Sequence, residues 1–454
     1  MNTPRPSARL RCALTFSALL GASPSQAQSR EPLCVPVATR RLVSAPFLAA
    51  NGSDRLVAQP FRAMASDGAA FVVALRDPER SLRVGPRRAL ARTVASLELQ
   101  SPERLPDHVP GLTVLRVDRA LRVLGDGAFV QDPVSSARDG ETFPPGIPVS
   151  AAIASGVLVA QHVAGDVYVT VVGATPGALV STRVAQAPPA ATRAGRRGFV
   201  WITVTPHTVA GQVGAALLAG TDEGEVVAVT LGPDGARVGD PVLWSQRVGG
   251  AMQLLPLPPD VAPAALLERP VRGTATNGQP AREQMLVRLG ATLEPAGDPE
   301  RVGLGPYEVG ATMRGDTLVL SQWVDGRGFA LVQAPLRDGR LALEAPRIWT
   351  TAPFEGLALG HTMRLGPQGI VYDLALHGDD VAGGLHGYLT FVPPSGAPFP
   401  RRDVVPLRAR VIAPPQLVPA EDGVVAVMAT YDELGGGVDA VHLRCDMVTL
   451  PDRR

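Results

Sequence analysis

Lysine is absent from this chain of 454 residues, and all 43 of its basic side chains are arginine. That excludes Schiff-base chemistry and any lysine acting as a general base. Aromatic residues make up only 4%, so few rigid faces exist on which a ligand ring can stack. Cysteine is nearly missing too, with Cys12, Cys34 and Cys445 alone. Long amphipathic helical patterns are lacking. The best candidate, RALARTVASLELQ at 88–100, fits a strand pair about as well. The apolar run from Cys12 to Ala22 falls short of the about 20 residues that span a bilayer, so no stable membrane insertion is expected.

Signatures of common chemistries are missing as well. There is no HExxH zinc helix, no G-x-S-x-G nucleophile elbow and no DxDxDG calcium loop. GLGPYEVG (303–310) has only the first two glycines of GxGxxG and leads into strand-like residues. It therefore offers no helix N-terminus to a phosphate. Acidic turns recur at TDEGE (221–225), GPDG (232–235), VDGRG (324–328), RDGR (337–340) and YDELGGG (431–437). Asp-Gly is a preferred filling of tight hairpin turns, and these segments are read that way. A net charge of +1 with no basic block argues against nucleic acid or an anionic membrane as partner.

What is present begins with an address. Arg5, Arg9 and Arg11 flank the start of the apolar run without an acid among them, and Ser25-Gln26-Ala27 offers a small-residue cut site. These are the three parts of a secretory signal. Residues 1–27 are expected to be removed, leaving 28–454 as one domain in the periplasm or outside the cell. The mature chain would carry 40 basic against 42 acidic residues, a charge of −2. Its two cysteines, Cys34 and Cys445, would meet an oxidising compartment, where an even count usually means a bridge. Two buried free thiols are the alternative.

The rest is repetitive. VVAVTLGPDGARVGDPVLW (226–244), MLVRLGATLEPAGDPERV (285–302) and FALVQAPLRDGRLALEAPRIW (329–349) each hold a strand, a tight turn, a second strand and an Asp-Pro or Ala-Pro exit. Trp244, Val302 and Trp349 fall at the same place in their copies. Looser copies start near 71, 112, 167 and 388, and AVHLRCDMV (440–448) is a half copy. Shorter apolar strands precede most hairpins: 156–161, 215–220, 264–268, 317–322, 369–374 and 423–429. Blades of this kind bury their faces only against neighbours.

This pattern resembles that of bacterial secreted β-propeller proteins over nearly the whole mature chain, although no WD, kelch or YWTD signature occurs. SARDGETF (136–143) is similar to the Asp-box turn of sialidase-like propellers, with its Asp displaced to Asp139. The resemblance implies an all-β fold, a single β-propeller of seven or eight four-stranded blades. Seven is the count if the hairpins near 71 and 112 share a blade. A row of β-sandwiches is the competing architecture, but its usual length of about 100 residues per domain does not match the period. Propellers often close by letting an N-terminal strand complete the last blade. Residues 33–43 would then pair beside the half copy, which brings Cys34 and Cys445 onto adjacent strands.

No catalytic or cofactor-binding residue is assigned from the sequence, and no cofactor is expected. The densest polar stretch runs from His361 to Tyr388; His377, Asp379 and His386 are its weak candidates for a metal. HGDDVAGG within it also reads as a long solvated connection. The polar insertion RPVRGTATNGQPAREQ (269–284) reads as a surface loop. Trp201, Trp244, Trp323 and Trp349 read as packing residues. The expected role is a monomeric, non-catalytic binding or scaffold module that holds a protein or small-molecule partner on a propeller face. A secreted hydrolase or lyase with a polar site at the central channel is the alternative.

Overall fold

Alternating apolar residues between turn signals produce strands, and the described chain contains nothing else of regular length. The computed structural model describes residues 30–44, 55–60, 69–76, 111–131, 148–163, 165–173, 177–189, 198–274, 280–304, 309–324, 328–349, 358–366, 369–379, 384–394, 398–402, 410–411, 415–432 and 435–449. The expected signal, the segment 88–100 and the Asp-box-like turn lie outside them. No α-helix occurs among the described residues, so no helix there is long and apolar enough to cross a membrane.

The first strand, β1 (Arg30–Ser44), belongs to the last sheet. Blade 1 is β2 (Arg55–Pro60), β3 (Ala69–Arg76), β4 (Gly111–Asp118) and β5 (Val123–Gln131). Blade 2 is β6 (Val149–Ile153), β7 (Gly156–Val163), β8 (Asp166–Gly173) and β9 (Ser181–Gln186). Blade 3 is β10 (Phe199–Val209), β11 (Gln212–Thr221), β12 (Val226–Leu231) and β13 (Val242–Leu243). Blade 4 is β14 (Ala251–Leu254), β15 (Ala264–Thr274), β16 (Pro280–Arg288) and β17 (Glu300–Arg301). Blade 5 is β18 (Gly310–Arg314), β19 (Thr317–Val324), β20 (Gly328–Arg337), β21 (Arg340–Leu341) and β22 (Arg347–Trp349). Blade 6 is β23 (Ala358–Leu365), β24 (Val371–Asp379), β25 (Gly384–Val392) and β26 (Phe399–Arg402). Blade 7 is β27 (Arg410–Val411), β28 (Gln416–Ala420), β29 (Gly423–Asp432), β30 (Gly435–Thr449) and, outermost, β1.

These seven antiparallel sheets form a seven-bladed β-propeller, which lies within the compact unit Cys34–Asp446. A second, small unit joins Met1–Leu33 with Met447–Arg454; its described part is the start of β1 and the end of β30. The segments at 71 and 112 do share a blade, as β3 and β4, which settles the count at seven. First strands lie side by side at the junctions β2–β6, β6–β10, β10–β14, β18–β23 and β23–β28, and β28 touches β2, so blade 7 meets blade 1.

The second strand of each blade shows why. Side chains of a strand point alternately to its two faces. On β11, Ala215, Leu217 and Ala219 pack with Leu158 and Val169 of blade 2, while Ala216 and Leu218 pack with Ala265 and Val287 of blade 4. On β3, Phe71, Val73 and Leu75 meet Val425 and Val427 of blade 7, and Val72 and Ala74 meet Val157 and Val159 of blade 2. On β19, Leu318 and Leu320 turn to Leu266 and Leu286 of blade 4, and Val319 turns to Val371 of blade 6. An unbroken apolar run is what a strand buried on both faces requires.

The sequence copies at 226–244 and 285–302 superpose bond for bond. Gly232 N donates to Ala236 O at 2.7 Å, as Gly290 N does to Glu294 O at 2.8 Å. Trp244 N donates to Val226 O and Val302 N to Gln284 O, both at 2.9 Å. All four tryptophans pack: Trp244 and Trp323 are buried, and Trp201 and Trp349 lie against the same inter-blade clusters. Trp201 covers Gly220 so closely that a Cβ there would stand 2.1 Å from its indole. One expectation is corrected: 269–284 is largely not a loop. Arg269 pairs with Glu283 and Thr274 with Pro280, so most of it extends the β15–β16 hairpin.

Closure follows the expected route. β1 lies beside β30, and Cys34 and Cys445 are joined by a disulfide across a sequence separation of 411. Farther along the same two strands, Arg41 Nε donates to Asp439 Oδ1 at 3.0 Å, and Thr430 Oγ1 donates to Asp439 Oδ2 at 2.6 Å. One carboxylate thus ties β1, β30 and β29 together.

Two outcomes are expected. Non-reducing peptide mapping recovers a Cys34–Cys445 cross-linked peptide, and Cys34→Ser lowers stability by about 2–5 kcal/mol without abolishing the fold, a loss that reducing agent reproduces in the wild type. Gly220→Ala, which must displace Trp201, lowers stability by roughly 1–3 kcal/mol in a urea titration.

Candidate functional site

Blades 3 and 5 pass from first to second strand in two residues, 210–211 and 315–316. Blade 4 takes nine, LPLPPDVAP (255–263). Its four prolines lack the N–H needed for a sheet ladder, so the chain stands off as a wall. The wall is fixed. Leu255 N donates to Ala264 O at 2.8 Å, Val261 N to Pro258 O at 3.0 Å and Thr208 N to Pro259 O at 2.6 Å. Below it, Leu254 N donates to Thr203 Oγ1 and Thr205 Oγ1 donates to Leu255 O, each at 2.8 Å.

The opposite wall is the blade 5 turn between β20 and β21. Arg337 pairs with Arg340 around Asp338-Gly339, both with positive φ, 51° and 73°; Asp-Gly suits this kind of two-residue turn. Between the walls lies a cleft of about 570 Å³, inside the roughly 300–1,000 Å³ range of small-molecule sites. Leu257, Val261, Pro263, Leu289, Leu336 and Leu341 give it an aliphatic lining. Arg288 spans the floor: its Nη2 donates to Glu300 Oε2 at 2.8 Å and to Leu341 O at 3.0 Å. Arg340 and Asp338, both exposed, supply the remaining charges. The lining contains no hydroxyl, thiol or imidazole and one carboxylate. It can hold a ligand, but it lacks the nucleophile–base pair or the carboxylate pair that hydrolysis needs.

His207 anchors the wall from blade 3. Burial holds its pKa below 6.5, against the opposing pull of its bond to the Pro259 carbonyl. Two further arginines sit in repeated Thr-Met-Arg stretches on inner strands, 312–314 and 362–364. Desolvation lowers the pKa of both Arg314 and Arg364. Arg314 Nη1 donates to Pro393 O at 2.9 Å, gripping blade 6, and Arg364 Nη1 donates to Met363 O at 2.7 Å. That repeat is legible in the sequence and went unread. Asp373 is fully buried between blades 5 and 6 and accepts from Ser321 Oγ at 2.5 Å.

The metal candidates lie on one hairpin. His377 faces His386 across β24 and β25, and Asp379 faces Gly384 at its end; their side chains lie outside the described residues. The expected long connection is corrected, because the strands run up to Asp379 and resume at Gly384. Among the described residues, no group of three His, Cys, Asp or Glu could hold a metal ion. The acidic turns separate: 221–225, 324–328 and 431–437 join second to third strands, whereas 232–235 and 337–340 follow third strands. In the first, Arg247 lies 3.4 Å from Glu225 and 3.9 Å from Glu223.

No protein-family model matches the chain, and no curated protein does. Among solved structures, a protein of unknown function from Dyadobacter fermentans is similar over 91% of this chain and 99% of its own, at 10% identity and a TM-score of 0.48. BBS1N, solved in complex with ARL6DN, is similar over 92% and 97%, at 11% identity and 0.45. The WD40 domain of SCAP from fission yeast covers 90% and 91%, at 9% identity and 0.39. The propeller itself rests on the strand pairings above.

Because the folded His207 pKa is depressed, its contribution to stability is present above pH 6.5 and lost as the pH falls through the folded value. Urea midpoints measured between neutral and mildly acidic pH should therefore fall for the wild type and fall less steeply for His207→Gln. Parallel curves would exclude His207 as the cause.

Proposed function

We propose that this chain is an exported, non-catalytic binding propeller whose partner or ligand is held by surface clefts and loops. A propeller suits a binding or scaffold role in general, and fold alone does not select an activity. The observation that carries the reading is the lining of the blade 4–blade 5 cleft: preformed walls and charge, with a single carboxylate and no hydroxyl, thiol, imidazole or second carboxylate to work with it. The Cys34–Cys445 bridge supports export, since such bonds persist in oxidising compartments. The signal-like segment 1–27 agrees with it.

The test is affinity capture from the native exported fraction, with the full chain expressed behind its own leader. A mature N-terminus at Gln28, oxidised cysteines and one co-purifying partner or small molecule, recovered chemically unchanged, are expected. Retention of Met1 in the cytosol with free thiols would overturn export. Conversion of the bound compound to a product would overturn the non-catalytic reading.

A further inference from the structure

We infer that the cleft between blades 4 and 5 binds an aliphatic chain ending in a single carboxylate. This rests on the binding reading above and assigns it a ligand class. Three observations select that chemistry. The apolar side chains of the walls are all aliphatic, with no aromatic residue and no side-chain amide or hydroxyl; the polar part of the lining comes from three charged side chains and the backbone. A sugar would find no ring face to stack on, whereas a hydrocarbon chain would replace water along the aliphatic part of the lining.

One guanidinium favours an anion. Two arginines and one aspartate line the cleft, and Glu300, outside the lining, already offsets the charge of Arg288, so the anion-seeking group is Arg340. Arg288 is fixed by Glu300 and the Leu341 carbonyl through Nη2 alone. Arg340 is exposed and has no ion pair among the described residues. A guanidinium presents five donors in a planar fork that matches a carboxylate. Asp338, next to Gly339 on the same turn, sets the upper limit: a second negative charge on the ligand would be brought toward it.

Rigidity is the third observation. The proline-rich wall is bonded to blade 3 through Thr208 and Thr205, and Arg288 bonds the floor to blade 5. The site is formed before the ligand arrives, which reduces the ordering cost of binding.

Isothermal titration of the mature protein with octanoate tests this. Saturable one-site binding is expected, with octylamine and 1-octanol at least tenfold weaker. Arg340→Glu should weaken octanoate at least tenfold. Arg347→Glu makes the same charge change on an exposed residue that does not line the cleft, and it should leave affinity unchanged. Equal thermal midpoints show that both variants fold. No saturable binding to the wild type, equal binding of octylamine, or equal losses in the two variants would each overturn the inference. If octanoate fails while a partner is still captured from the exported fraction, the cleft assignment falls alone. If octanoate is bound but consumed, the non-catalytic reading falls instead.

Discussion

The constraint on which everything else depends is that second strands are buried on both faces, and in blades 1 to 5 each face packs against a different blade. Leu217 and Leu218 are consecutive, fully buried, and belong to different inter-blade clusters. Neither cluster exists within one blade, so no sheet has a core of its own. Burying such side chains supplies roughly 1.5–3 kcal/mol each, but only once the neighbour is in place. Nearest-neighbour dependence of this kind is what couples repeats into one structure.

Polar groups are arranged around that constraint. Adjacent first strands are not laddered to each other, so side chains complete part of their bonding: Thr203 and Thr205 serve the backbone at Leu254 and Leu255. Arg314 does the same for the Pro393 carbonyl. Asp373 is placed inside an apolar interface only with a hydroxyl donor from the facing blade. The same economy shapes the cleft, where Arg288 is at once a blade-to-blade tie and part of the floor. Its Nε is buried without a hydrogen-bond partner.

This also explains what the sequence made legible. Apolar runs such as those of β11 and β19 stand out because burial on both faces leaves no polar positions, and the tight Asp-Gly and Gly-rich turns mark their ends. First strands were harder to see. On β10 the residues Thr203, Thr205 and His207 face a neighbouring backbone, so the row looks polar although part of it is buried. The ribbon 269–284 was misread because backbone pairing away from the core places few demands on side chains. The cleft was invisible for another reason. Its walls come from 255–263 and 336–341, and nothing local to either says that they face each other.

The position of β1 has a consequence in time. It precedes every other described strand in the chain, yet its place is beside β30, and the cysteines they carry are 411 positions apart. Contacts of such separation form late, after the entropy of closing the intervening chain has been met. Until then β30 presents an open sheet edge, the kind of edge along which chains associate with one another. The bond between Cys34 and Cys445 holds β1 on that edge and so keeps it closed to other chains.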